Sequence, residues 1–154
     1  MNPDFLDMLS ALNAAGAEYL LVGAYAMAAH GHPRATADID FWVSPEPENA
    51  GRVMQALRTF RAPLLGLTEA DLANPDLIFQ IGLPPHRIDI ITGIDGVEFA
   101  EAWPAKIVTH FSSQPCYVIS REHLLQNKRS CARDKDAWDV KLLERPPQRE
   151  PPQF

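Results

Sequence analysis

With 154 residues, the chain is sized for one domain around one core, and 46% hydrophobic with 22% charged content is ordinary for a globular protein. The formal net charge of −6 excludes bulk electrostatic attraction to nucleic acid or an anionic membrane, so any nucleic-acid contact would need a local basic patch. Two cysteines, Cys116 and Cys131, show no metal-ligand spacing and make no disulfide framework; they read as reduced thiols of a cytoplasmic protein.

The start, MNPDFLDMLS, has neither a basic nor an apolar leader region, so no signal peptide is expected, and no apolar run approaches a membrane span. A first helix is predicted over 3–15, capped by Asn2, with Pro3 in its first turn and Phe5, Leu9 and Leu12 as its apolar stripe. EYLLVG (18–23) reads as a buried strand, and AYAMAAHG (24–31) as a short, alanine-rich helix packed close to the sheet. ADIDFWV (37–43) is a second strand. A helix follows over about 46–60, with Val53, Leu57 and Phe60 inward. Residues 61–76 read as loop, with a capped turn at Thr68–Asp71. LIFQIG (77–82) and RIDIIT (87–92) are strands joined by a hairpin-length LPPH. VEFAEAW reads as a short helix, KIVTHF and CYVIS as short strands, and REHLLQNK as a helix capped by Ser120. RDKDAWDVKLLE is the last helix, and the proline-rich tail over 146–154 is expected to be disordered. Helices alternate with strands early, and strands pair in the middle. That predicts an α/β domain over 1–145, a small mixed sheet backed by helices.

The chemistry concentrates in RATADIDFWV. Side chains at i and i+2 of a strand share a face and lie ~7 Å apart along the backbone, so Asp38 and Asp40 can converge on one cation. Ile39, Phe41 and Val43 point the other way into the core. Hard carboxylate oxygens suit Mg²⁺ shared with substrate phosphates. Asp89, between Ile88 and Ile90, joins them if its strand lies beside 37–43, with Arg87 and Ile91 on its face. Three carboxylates around one or two metals suit phosphoryl or nucleotidyl transfer. Gly23 ends the first strand, where the backbone can turn sharply and a ligand approach closely; the N–H groups of the next helix would suit phosphate. Arg34 is placed to meet a phosphate or to pair with an aspartate.

These pieces together resemble the signature of the nucleotidyltransferase superfamily that includes DNA polymerase β and the minimal nucleotidyltransferases. LLVGAYAMAAHGHPRATADIDFWV carries the apolar strand, the glycine and the D-x-D strand, and Asp89 in RIDIIT matches the third carboxylate. NKRSCARDKDAWDVKLL resembles a basic–acidic element of small prokaryotic members, some of them toxin–antitoxin components. The resemblance spans roughly residues 15–145. It implies a nucleotidyltransferase-like fold, Asp38 and Asp40 as Mg²⁺ (or Mn²⁺) ligands, Asp89 completing the site, and Gly23 opening a phosphate cradle. It also implies an NTP as substrate and an acceptor hydroxyl on a protein, RNA or small molecule, with a partner protein encoded nearby as a further expectation. One departure stands out: where the family has Gly or Ser after the glycine, this chain has Ala24, which brings no hydroxyl.

Simpler readings stand beside these. Asp38 and Asp40 can be the solvent face of an edge strand, and Gly23 only a tight turn. His30 and His32 suggest a transition metal but fit a surface loop. Lys128 and Lys135 can reach a triphosphate or simply be solvated, with a helix break at 130–132 between them. Asp136 and Asp139 are expected to pair with nearby Arg and Lys. Trp138, Val140, Leu142 and Leu143 read as packing residues, and Trp42 as either a base-flanking ring or a cover for the sheet. The functional alternatives are a catalytically weak or inactive binding module of toxin–antitoxin type, and a metal-dependent phosphoesterase.

Overall fold

The computed structural model describes residues 1–83, 85–131 and 133–146. Most of the expected disordered tail, residues 147–154, lies outside the described residues. The fold is mixed α/β. Helix α1 (Pro3–Ala14) starts as the caps dictate: Asn2 Oδ1 accepts from the Asp4 amide at 2.8 Å, and Pro3 occupies the first turn. Strand β1 (Tyr19–Val22) is buried throughout and runs directly into α2 (Gly23–Ala29). β2 (Asp38–Val43), α3 (Pro47–Phe60) and a single turn, α4 (Glu69–Leu72), follow. Thr68 closes the expected cap on α4 with a reciprocal bond from Asp71. Next come β3 (Ile78–Ile81), β4 (Arg87–Ile91), and α5 (Phe99–Ala102), which tightens into a 3-10 turn at Trp103–Ala105. The chain ends in the hairpin β5 (Ile107–Phe111) and β6 (Gln114–Val118), then α6 (Arg121–Ser130), capped by Ser120, and α7 (Asp134–Leu143).

Among the described residues the strands form one six-stranded mixed sheet in the order β3-β4-β2-β1-β6-β5. β1 is antiparallel to β2 and parallel to β6, while β2 is parallel to β4; β3 and β5 close the two edges as antiparallel partners. Ile39, Phe41 and Val43 of β2 join Leu9 and Leu12 of α1 and Val53 and Leu57 of α3 in one hydrophobic cluster. β6 begins two residues earlier than CYVIS implies and takes in Pro115. Pro115 is tolerated because β1 registers with β6 only at Leu21–Val118, leaving one side of β6 unpaired at the proline. No helix among the described residues is long and apolar enough to cross a membrane.

Trp138 corrects one expectation: it is 59% exposed rather than packed. The stripe that α7 turns inward is Asp136, Asp139 and Leu143, at helical spacing, so a tryptophan two residues after Asp136 faces out.

Candidate active site

β2 lies between β1 and β4, so Asp38 and Asp40 are not on an edge strand. The parallel register sets Asp40 directly beside Asp89, and the antiparallel one sets it beside Val22. Neighbours in register share a face, so two adjacent strands carry the three carboxylates on one face of the sheet. Asp89 is only 7% exposed, whereas the Asp38 side chain is 38% exposed. Burial pushes the Asp40 carboxyl up to about 6, helped by the Asp89 charge, a hydrogen bond shared with Asp89 and the Asp38 charge, and opposed by Arg87. The three carboxylates therefore repel one another.

Arg87, first residue of β4, partly relieves this repulsion. Its Nε donates to Asp89 Oδ1 at 2.8 Å and its Nη2 to Asp89 Oδ2 at 3.2 Å. Nη2 also stands 3.2 Å from Asp38 Oδ2. Among the described residues no three His, Cys, Asp or Glu side chains are already gathered as a metal cage, and the Arg87 fork is what engages Asp38 and Asp89. The donor set itself, carboxylate oxygens alone, fits Mg²⁺ or Mn²⁺.

Gly23 makes the turn from β1 into α2 with φ +69°. A Cβ there would meet Asp40 Oδ2 at 2.2 Å. The room that glycine leaves is thus taken by the Asp40 carboxylate rather than left open to a phosphate. α2 is only seven residues long, and Ala24 at its start is partly exposed.

The basic residues are arranged differently from expectation. Arg34 grips Asp139 with both guanidinium nitrogens, at 2.5 and 3.1 Å. Its partner is therefore an aspartate of α7, and neither Asp38 nor Asp40. Lys128 is 6% exposed, with Nζ 3.3 Å from Asp136 and 3.2 Å from Asp139. It is an internal counter-ion of α7, which corrects its assignment to a triphosphate. Arg133 completes the network on Asp136 at 2.7 and 3.2 Å. Burial pushes the Asp136 carboxyl up, but hydrogen bonds from Arg133 and Lys128 outweigh it and hold the group below the usual range. Lys135 stays exposed on α7, and the helix break separates it from Lys128. The network fastens the segment leading into β2, through Arg34, to the C-terminal helices.

Trp42 shares the carboxylate face but is buried edge-on against Phe99, with centroids 5.1 Å apart, so it covers the sheet. It also helps wall a cavity of about 680 Å³ with Thr92, Phe99 and Trp103, which contains none of the three aspartates. His30 donates from Nε2 to the Ile119 carbonyl at 2.8 Å, a tie between α2 and the end of β6. Sequence reasoning missed the grip of Arg87, although its alternation with Asp89 already placed both on one face. No protein-family model matches the chain, and a search of curated proteins finds no match.

Proposed function

We propose that the chain is a Mg²⁺-dependent nucleotidyltransferase that moves NMP from an NTP to an acceptor hydroxyl and releases pyrophosphate. The observation that carries this reading is the register of β2 with β4, which sets Asp40 beside Asp89 on the face that also bears Asp38. Asp38 and Asp40 would hold the ion, and Asp89 would complete the site and orient the acceptor hydroxyl. The bound ion would neutralise the phosphates and favour attack by that hydroxyl. Buried Asp89 and half-buried Asp40 sit on neighbouring central strands, so the sheet holds in place the oxygens that would face the reacting phosphorus. The resemblance of LLVGAYAMAAHGHPRATADIDFWV and RIDIIT to nucleotidyltransferases supports the same chemistry.

The test is label transfer from α-³²P NTPs, with Mg²⁺, to macromolecules of a cell extract, alone and with the product of the neighbouring gene. Label from the α position is expected in product and label from the γ position is not. Asp38→Ala or Asp89→Ala should reduce the rate by ~100-fold or more. Release of inorganic phosphate in place of pyrophosphate would instead indicate a phosphoesterase. Ala24 and the hold of Arg87 on Asp38 and Asp89 favour the second reading, a nucleotidyltransferase-fold binding module of toxin–antitoxin type. Absence of transfer from all four NTPs would select it.

A further inference from the structure

We propose that Arg87 is a resident counter-cation that a divalent ion must displace, so that the carboxylate cluster loads with a metal–polyphosphate complex rather than with a bare ion. The inference rests on the reading of Asp38, Asp40 and Asp89 as the ion's ligands. A guanidinium and a divalent cation seek the same carboxylate oxygens. Arg87 already takes both oxygens of Asp89 and one of Asp38. It cannot step aside by losing its proton, because arginine stays charged throughout the working pH range. An entering bare ion would therefore meet a like charge and strip the guanidinium of its partners without offering new ones. A polyphosphate arriving with the ion changes the balance, since its oxygens accept a bidentate guanidinium as well as carboxylates do.

Two features of the fold favour this exchange. Arg87 is the first residue of β4, and its side chain is 27% exposed, so the guanidinium can swing without breaking the strand. Arg34, Lys128 and Arg133 are committed elsewhere: Arg34 and Lys128 to Asp139, and Lys128 and Arg133 to Asp136. Among the described residues Arg87 is the cation ion-paired with this cluster, through two of its three carboxylates, Asp38 and Asp89. The residue that holds Asp38 and Asp89 is then the one that would meet the phosphates on loading.

The experiment is Mn²⁺ titration followed by electron paramagnetic resonance, with and without α,β-methylene-ATP, which cannot be cleaved at the reacting bond. Wild type should bind Mn²⁺ alone weakly and gain affinity with the analogue. Arg87→Met should bind Mn²⁺ alone about tenfold tighter or better, and its gain from the analogue should shrink about tenfold, each the size of one lost charge competitor or partner. Loss of a merely structural residue would not raise affinity. Arg87→Lys keeps the charge but not the fork, and should lie between; if Arg87→Met fails to fold, Arg87→Lys must show the same two directions. Mn²⁺ affinity in the folded variants equal to or below wild type, or an unchanged gain from the analogue, overturns the proposal. Mn²⁺ binding that is abolished by Asp40→Asn but indifferent to Arg87 would overturn this inference alone. Binding that survives Asp40→Asn, or no binding in any protein, would overturn the metal reading with it.

Discussion

Gly23→Ala probes the closest approach in the site. The glycine has φ +69°, a conformation that costs an alanine about 1–2 kcal/mol, partly offset by about 0.4–1 kcal/mol through a stiffer unfolded chain. The backbone contribution alone is thus about 1 kcal/mol. The new Cβ would also stand 2.2 Å from Asp40 Oδ2 and 3.2 Å from Asp40 Cγ, where ordinary contact begins at 3.4 Å. The carboxylate must move by more than an ångström, against Asp89. Overpacking of this kind costs about 1–3 kcal/mol, so the substitution should cost about 2–4 kcal/mol in all. Asp40→Ala removes the offending atoms and leaves only a Cβ at 3.5 Å. In that background Gly23→Ala should cost only the backbone part, about 1 kcal/mol. Urea denaturation of the four proteins in EDTA gives the coupling, expected at about 1–3 kcal/mol. A coupling below about 0.5 kcal/mol would refute the claim that Gly23 exists to admit the Asp40 carboxylate.

Asp40→Asn should change the pH dependence of stability. The Asp40 carboxyl titrates at about 6 in the folded chain against 3.8 ordinarily, so the metal-free fold holds a proton that the unfolded chain has released. Its contribution is full below pH 4, fades as pH rises through 6, and amounts to at most about 3 kcal/mol; wild type minus variant should trace that decline in denaturation curves, and parallel profiles would refute it. Mn²⁺ with a nucleotide should raise the melting temperature of wild type and leave that of Asp40→Asn nearly unchanged, as scanning fluorimetry would report. Lys128→Met should destabilise the fold by about 2–4 kcal/mol, because it strands two buried carboxylates that keep only Arg34 and Arg133, whereas Lys135→Met on the exposed side of α7 should stay within about 0.5 kcal/mol. Equal urea midpoints for the two lysine variants would contradict the internal ion network.

Local order was legible wherever periodicity or cap chemistry carried it. Asn2, Thr68 and Ser120 announce their helices, and the alternation in DIDFWV separates Asp38 and Asp40 from Ile39, Phe41 and Val43. The convergence of Asp89 was legible only as a condition, because nothing local says that β4 lies beside β2. The ion network was less legible still. Arg34 and Asp139 are 105 residues apart, and attraction between charges leaves no period in a sequence. α7 misleads for the same reason: its inward stripe is carboxylates neutralised by Lys128, Arg34 and Arg133, so a rule that turns apolar residues inward buries Trp138 in error.

The attachment of the β5–β6 hairpin has a consequence for how the molecule breathes. Its ladder to the rest of the sheet is one register pair, Leu21–Val118, extended by the Ile119 amide donating to the Leu21 carbonyl at 3.2 Å. The remaining ties are side-chain contacts, such as Asn13 Nδ2 donating to the Pro115 carbonyl at 2.8 Å and the Tyr19–Tyr117 ring pair. The seam between β1 and β6 is therefore the line of easiest separation through the sheet. In hydrogen exchange the hairpin amides should open as one unit at a lower free energy than those of β2 and β4, leaving the carboxylate-bearing strands as the last part to unzip.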